Sequence, residues 1–101
     1  MDDEVDYLLS FVSDASGGYL AIHADLKGVT LLIEKLESLR QRLEANDCPH
    51  IHLFSFGNGV LTTTKLSDQD GENNIVHHVK IYGWNEEWAL KHGLRPPALE
   101  Q

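Results

Sequence analysis

The sequence has little that would cross-link, export or anchor the protein. Cys48 is the only cysteine, so no disulfide can form within the chain. The apolar runs are short and interrupted by polar residues, so no segment is long enough to cross a bilayer. The first residues, MDDEVDYLL, carry acids where a secretory signal carries lysine or arginine. We therefore expect a cytoplasmic protein.

Basic residues are also scarce. Lysine and arginine total 8 against 16 aspartates and glutamates, which gives a formal net charge of −8. Residues 1–26 contain no lysine or arginine, and a second acidic cluster consists of Asp68, Asp70 and Glu72. Such a charge repels nucleic acid and anionic membranes and attracts basic partners, although solubility alone explains it equally well. We expect neither nucleic acid nor membrane as a partner.

The chain contains none of the short motifs that mark catalytic or cofactor sites. There is no GxSxG nucleophile turn, no GxGxxG or GK[ST] phosphate loop and no HExxH or cysteine-pair zinc signature. The glycines of Gly57-Asn58-Gly59 are explained by a hairpin turn. Cys48, in a loop beside Pro49, is interpreted as a structural residue. We expect no enzymatic activity, no catalytic residue and no cofactor.

The length of 101 residues and the apolar content of 42% fit one globular domain over residues 1–101. Turn residues divide it into strand, strand, long helix, strand, strand, strand and short helix. The strands are predicted over residues 6–13, 18–24, 50–56, 60–66 and 75–84, and the short helix over residues 85–92. Residues 94–101, which include Pro96-Pro97, are predicted to be an extended tail.

The long helix is predicted from about residue 26 to about residue 45, with Asp25 as its N-cap. Its apolar residues fall on one stripe: Leu26, Val29, Leu32, Ile33, Leu36, Leu39 and Leu43. Short connections favour antiparallel strands. We therefore predict an α+β fold, in which a mostly antiparallel sheet of about five strands has the long helix packed on one face. The other face is left for the tail, a partner or water.

That open face carries aromatic side chains, for which water is an unfavourable cover. We interpret it as a partner-binding surface whose predicted residues are Phe54, Phe56, Tyr82 and Trp84, together with the acids Asp68, Asp70 and Glu72. Packing within the chain is the alternative for Trp84 and for Trp88, which lies four residues further on. A protein partner with a basic surface is the predicted occupant. A second copy of the chain, giving a homodimer, is another possibility.

The histidines leave a metal or small-ligand site open as an alternative. His50 and His52 present two imidazoles on one face of a strand, and His23 and His78 can join them from neighbouring strands. Zinc accepts three or four such ligands. No spacing in the chain is a recognised zinc signature, so the histidines are also explained as polar cover of the open face.

The middle of the chain resembles the immunity protein 32 family of bacterial polymorphic toxin systems. The likeness covers roughly residues 20 to 84 and rests on ESLRQRLEA, PHIHLFSFGNGVLTTTKL and IVHHVKIYGW. Its most characteristic part is the strand with His50, His52 and Leu53, followed by the glycine turn and the segment from Leu61. The resemblance implies a small cytoplasmic α+β protein, without enzymatic activity, that neutralises a toxin by direct binding. It identifies neither the toxin nor the contact residues.

Overall fold

The fold combines antiparallel strands with one long helix, as predicted from the sequence. The computed structural model describes residues 6–66 and 70–94, so Asp68 and nearly all of the predicted tail at 94–101 lie outside the described residues. The elements are β1 (Leu9–Ser13), β2 (Leu20–Ala24), α1 (Leu26–Glu44), β3 (His50–Phe54), β4 (Asn74–Ile75), β5 (His78–Tyr82) and α2 (Glu86–Lys91). The predicted α+β class is confirmed.

The first hairpin supplies the centre of the fold. β1 and β2 pair antiparallel, from Leu9 opposite Ala24 to Ser13 opposite Leu20. The turn between them contains Gly17 at φ +80°, a backbone conformation that glycine adopts without steric cost. Leu9 and Val12 of β1 are fully buried, and burying each such side chain contributes about 1.5–3 kcal/mol.

Helix α1 begins where the sequence predicts. The carboxylate of Asp25 accepts a hydrogen bond of 2.8 Å from the backbone N–H of Gly28, which satisfies one of the free donors of the first turn. Gly28 is buried, and a Cβ there would overlap the carbonyl oxygen of Leu8. This glycine therefore lets the helix approach the chain that enters β1.

Only part of the predicted apolar stripe of α1 is buried against the rest of the protein. Leu39 is buried against the core, and Leu32 and Leu43 are half-buried. The rest of the stripe is exposed: Leu26, Val29, Ile33 and Leu36. A helix of 19 residues is about 28 Å long. The five-residue strands are only about 17 Å long, so they cannot cover all of it.

The strand predicted over residues 75–84 is interrupted at residues 76–77. The backbone N–H of Val76 donates to Phe11 in β1, whereas the carbonyl of His77 accepts from Ser55 beyond β3. β4 consequently joins a three-stranded sheet in the order β2-β1-β4, and β5 pairs with β3 in a second sheet. The chain changes partner within one extended segment, which an alternating pattern cannot predict.

The prediction of a strand over residues 60–66 is wrong, because these residues form no strand in the structure. Its threonines suit a sheet, but here the segment bridges two strands instead of pairing along one. The N–H of Leu61 donates to the carbonyl of Phe54 (2.8 Å), and the N–H of Thr62 donates to the carbonyl of Leu9 (2.7 Å). The Thr62 hydroxyl also accepts from the N–H of Leu9. The segment thereby closes the gap between β3 and β1 around the core residues Leu9, Phe11, Leu53 and Leu61.

Candidate partner-binding surface

Strand alternation directs one set of side chains of β3 and β5 away from the core. Ile51 lies opposite Ile81 and Leu53 opposite Val79, and these four apolar residues face inward. The intervening positions face outward, as predicted, and these are His50, His52 and Phe54 of β3 and His78, Lys80 and Tyr82 of β5.

The outward rings form an unbroken chain of contacts. At one end the ring centroids of Phe56 and Phe54 are 4.9 Å apart, and the chain continues through the histidines of β3 to Tyr82. Beyond Tyr82 it passes through Trp84 to the helix α2. We call this the aromatic surface, which consists of Phe56, Phe54, His52, His78, His50, Tyr82, Trp84, His92 and Trp88.

The far end of the aromatic surface is positioned by α2. Asn85 caps this helix by accepting a hydrogen bond from the N–H of Trp88. The four-residue spacing brings Trp88 and His92 onto one helix face, where their rings stack at 5.4 Å. The sequence reasoning left His92 out of the surface, although its spacing from Trp88 signalled this pairing.

The aromatic surface is open to solvent. Phe56 is 60% exposed, Tyr82 51% and Trp84 39%. The described residues thus place the predicted aromatics Phe54, Phe56, Tyr82 and Trp84 together, and internal packing of Trp84 accounts for only part of its area. Large apolar rings that stay exposed in a contiguous group are typical of interaction sites.

Two histidines of the surface are hydrogen-bonded to each other. Nδ1 of His52 lies 2.8 Å from Nε2 of His78, so one ring donates and the other accepts. Desolvation lowers the pKa of His52 below its ordinary value of 6.5, and electrostatic repulsion from His50, His78 and Lys80 lowers it further. The pair therefore favours the neutral form of His52.

The four histidines of the metal alternative do not come together. His50, His52 and His78 share the aromatic surface, but His23 lies on β2 in the other sheet, where it contacts Asp70. Within residues 6–66 and 70–94, no group of three or more histidine, cysteine, aspartate or glutamate side chains is placed to hold a metal ion. His52 and His78 bring two ring nitrogens within 2.8 Å of each other.

Asp70 requires a correction, because it is buried and cannot contact a partner as predicted. Its side chain has no exposed area, and it accepts hydrogen bonds from the N–H of Leu66 (2.6 Å) and from the His23 ring (2.8 Å). The Leu66 hydrogen bond is the main cause that holds the Asp70 pKa below its ordinary value of 3.8, and the contact with His23 adds to it against the opposing effect of burial.

The other members of the predicted acidic cluster differ from Asp70. Glu72 is exposed, and Asp68 lies outside the described residues. The aromatic surface itself carries cations: the ammonium of Lys80 lies 4.6 Å from the Tyr82 ring centroid, and that of Lys91 lies 4.7 Å from the Trp88 ring centroid. Lysine ammonium groups therefore lie beside the tyrosine and tryptophan rings of this surface.

Comparison of the chain with family models, with curated proteins and with solved structures gives no match. In the described part of the chain, no helix combines the length and the apolar character needed to span a membrane.

Proposed function

We propose that this chain is a bacterial immunity protein, which neutralises a cognate toxin domain in the cytoplasm by binding it directly. The aromatic surface forms the contact, and the bound toxin is blocked sterically. No catalytic step by this chain is part of the proposal. The resemblance of residues 20 to 84 to the immunity protein 32 family gives the class of partner.

The observation that carries the proposal is the exposed, continuous chain of rings from Phe56 to Trp88. Tyrosine and tryptophan dominate the binding energy of protein interfaces when they enter desolvated pockets of a partner. Tyr82 and Trp84 lie near the middle of this chain, with the histidines and phenylalanines on one side and α2 on the other. These two residues are the proposed anchors.

The negative charge has a different role in the proposal. With a formal net charge of −8, the molecule attracts a basic toxin surface over a distance and accelerates association. Glu72, which is exposed, contributes to this attraction, and Asp68 is a further candidate. Asp70 is no longer included, because its carboxylate is occupied inside the protein.

The test is co-purification with the product of the adjacent gene, followed by rescue of cells that express that product. The proposal predicts a stable complex and survival of cells that also express this chain. A neighbouring product that is not toxic, or a toxic product that does not bind the chain, would contradict the immunity function. Concentration-dependent dimers without any toxin complex would instead assign the aromatic surface to self-association.

A second candidate function is metal or small-ligand binding at His52 and His78, favoured by the 2.8 Å approach of their ring nitrogens. To bind a transition metal, with bonds of about 2.0–2.1 Å to each nitrogen, the two rings would move apart and the proton of the donor ring would shift to its other nitrogen; water or a partner would supply the remaining ligands. Calorimetric titration of metal-free protein with zinc and copper tests this idea, with His78→Gln as the control variant. Absence of heat at micromolar metal would remove the candidate.

A further inference from the structure

One edge of β3 is open. The N–H of Gly83 donates to the carbonyl of Pro49 (2.8 Å), and the N–H of Ser55 donates to the carbonyl of His77 (3.0 Å). In an antiparallel pair, the residues whose backbone groups bond to the partner strand alternate along the chain. Because Pro49 and Ser55 bond to residues that flank β5, the register shows that Ile51 and Leu53, which lie between them at the same spacing, also direct their N–H and C=O groups toward β5. The backbone N–H and C=O of His50 and His52 consequently point away from β5, where no described residue pairs with them.

The open edge is short and has a defined end. The carbonyl of Phe54 faces the same side as those of His50 and His52, but it accepts a hydrogen bond from the N–H of Leu61. The segment after the glycine turn therefore closes the edge at Phe54. Room for an added strand exists along His50, Ile51 and His52 only, which is enough for a few backbone hydrogen bonds.

A groove runs beside this edge. It has a volume of about 510 Å³ and lies between β3 and the face of α1 that carries Leu31, Lys35 and Ser38. The side chains of Ile51 and Val60 form an apolar part of the groove wall. A second depression of about 360 Å³ shares Lys35, His52 and Val60 with the first and leads toward Phe54 and Phe56. An extended chain in the groove would thus continue onto the aromatic surface.

The groove does not share the large negative charge of the whole molecule. Lys35 lines both depressions and is the cation at the place where they meet. Glu34 is the acidic residue among the lining side chains of either depression. The larger depression is therefore balanced in charge, whereas the smaller one has Lys35 alone, and an acidic side chain of a bound segment can pair with Lys35 there.

We propose that this groove binds an extended segment of a partner protein, which adds as a strand to the edge of β3. The main chain of the segment pairs with His50 and His52, as in other cases of strand addition. Its apolar side chains contact Leu31, Ile51 and Val60, and an acidic side chain pairs with Lys35. A second copy of this protein is disfavoured as the occupant, because its own β3 would bring a second α1 into the same groove.

The experiment uses a synthetic, end-blocked peptide of alternating valine and glutamate as the probe, followed by NMR on the full chain. Binding is expected below roughly 1 mM, with shift changes concentrated in β3 and in residues 31–38. Methylating the peptide amides that face β3 should weaken binding at least roughly tenfold, whereas methylating the alternate amides should change it less than about threefold.

Protein variants provide the matched comparison. His52→Pro removes an N–H that no strand of the fold uses, and prolines are tolerated at such edge positions, so binding should fall at least roughly tenfold. His52→Val keeps the N–H and should retain binding. Lys35→Glu should make the protein prefer a valine–lysine peptide.

Strand addition would be overturned by the absence of binding at peptide concentrations up to roughly 1 mM, or by equal effects of the two methylation patterns. Because no toxin is involved, these outcomes are separate from those that test the immunity function.

Discussion

The Oδ2 atom of Asp70 lies 2.8 Å from Nε2 of His23, and the Asp70 side chain has no exposed area. This contact joins the end of the segment 60–66, through the Leu66 N–H, to the edge strand β2. An acid that the sequence assigned to a binding loop therefore stabilises the fold. Its charge is used inside the protein and is not available to a partner.

We predict that Asp70→Asn lowers the melting temperature by at least about 4 °C, because it leaves the Leu66 N–H or the His23 ring without its acceptor. The Asp70 pKa lies below 3.8 in the folded protein. Its contribution to stability is present in full above the unfolded value near 3.8 and is lost as the pH falls through the lowered value. Acid unfolding followed by circular dichroism should be shallower in the variant.

Glu72→Gln is the control for this prediction, since Glu72 is exposed two residues away. It should leave the melting temperature nearly unchanged. Some acid sensitivity should remain in Asp70→Asn, because hydrogen bonds also lower the pKa of Asp6 and Asp25. Equal pH profiles of the wild type and Asp70→Asn would refute a structural role for this carboxylate.

His52 gives a prediction within the aromatic surface. Its imidazole should titrate below its ordinary value of 6.5, and stability should fall as the pH drops from about 6.5 toward the lowered value, because the unfolded chain binds the proton more readily. NMR titration of the ring protons measures this pKa. His78→Gln should raise the pKa, since it removes the electrostatic repulsion that His78 exerts on a protonated His52, whereas Lys27→Gln should leave it unchanged. A midpoint at or above 6.5 would contradict the geometry.

Gly28 tests the close approach of α1 to the chain before β1. In an exposed helix position, glycine to alanine gains up to about 1 kcal/mol. Here the new Cβ meets the Leu8 carbonyl, so Gly28→Ala should lower the free energy of unfolding by about 1–3 kcal/mol. Urea unfolding gives the value, with Ser38→Ala as a control at an exposed position of the same helix. A stabilised Gly28→Ala protein would show that the helix start lies further from Leu8.

The burial difference between Glu72 and Asp70 predicts a kinetic difference. Glu72→Lys changes the long-range charge by two units and should slow association with a basic partner and weaken its dependence on salt. The dissociation rate should change little. Stopped-flow binding at two ionic strengths measures both rates. An association rate and a salt dependence equal to those of the wild type would remove Glu72 from the steering role.

Local patterns predicted the elements that depend on local physics. The bounds of α1, its Asp25 cap, the first hairpin and the Asn85 start of α2 all follow from capping residues, periodicity and turn glycines. The outward set on β3 and β5 followed from alternation. These features depend on neighbours within a few residues, so one sequence suffices to place them.

Features that depend on residues far apart in the chain could not be predicted from the sequence. In the strand break at residues 76–77 and in the bridging pair Leu61 and Thr62, neighbouring backbone groups bond to two different strands that are distant in sequence. The burial of Asp70 depends on His23, 47 residues away. The exposed half of the α1 stripe reflects the short strands beneath it. Periodicity carries no information on any of these pairings.

The central claim is that the aromatic surface binds a toxin, and the affinity of Tyr82→Ala and Trp84→Ala for the toxin of the adjacent gene tests it most directly. Each variant should bind at least about 30-fold more weakly than the wild type, equivalent to about 2 kcal/mol. Leu26→Ala, at a side chain that is 83% exposed on α1, should bind like the wild type. Wild-type affinity in both aromatic variants, with their folds intact by circular dichroism, would contradict the account.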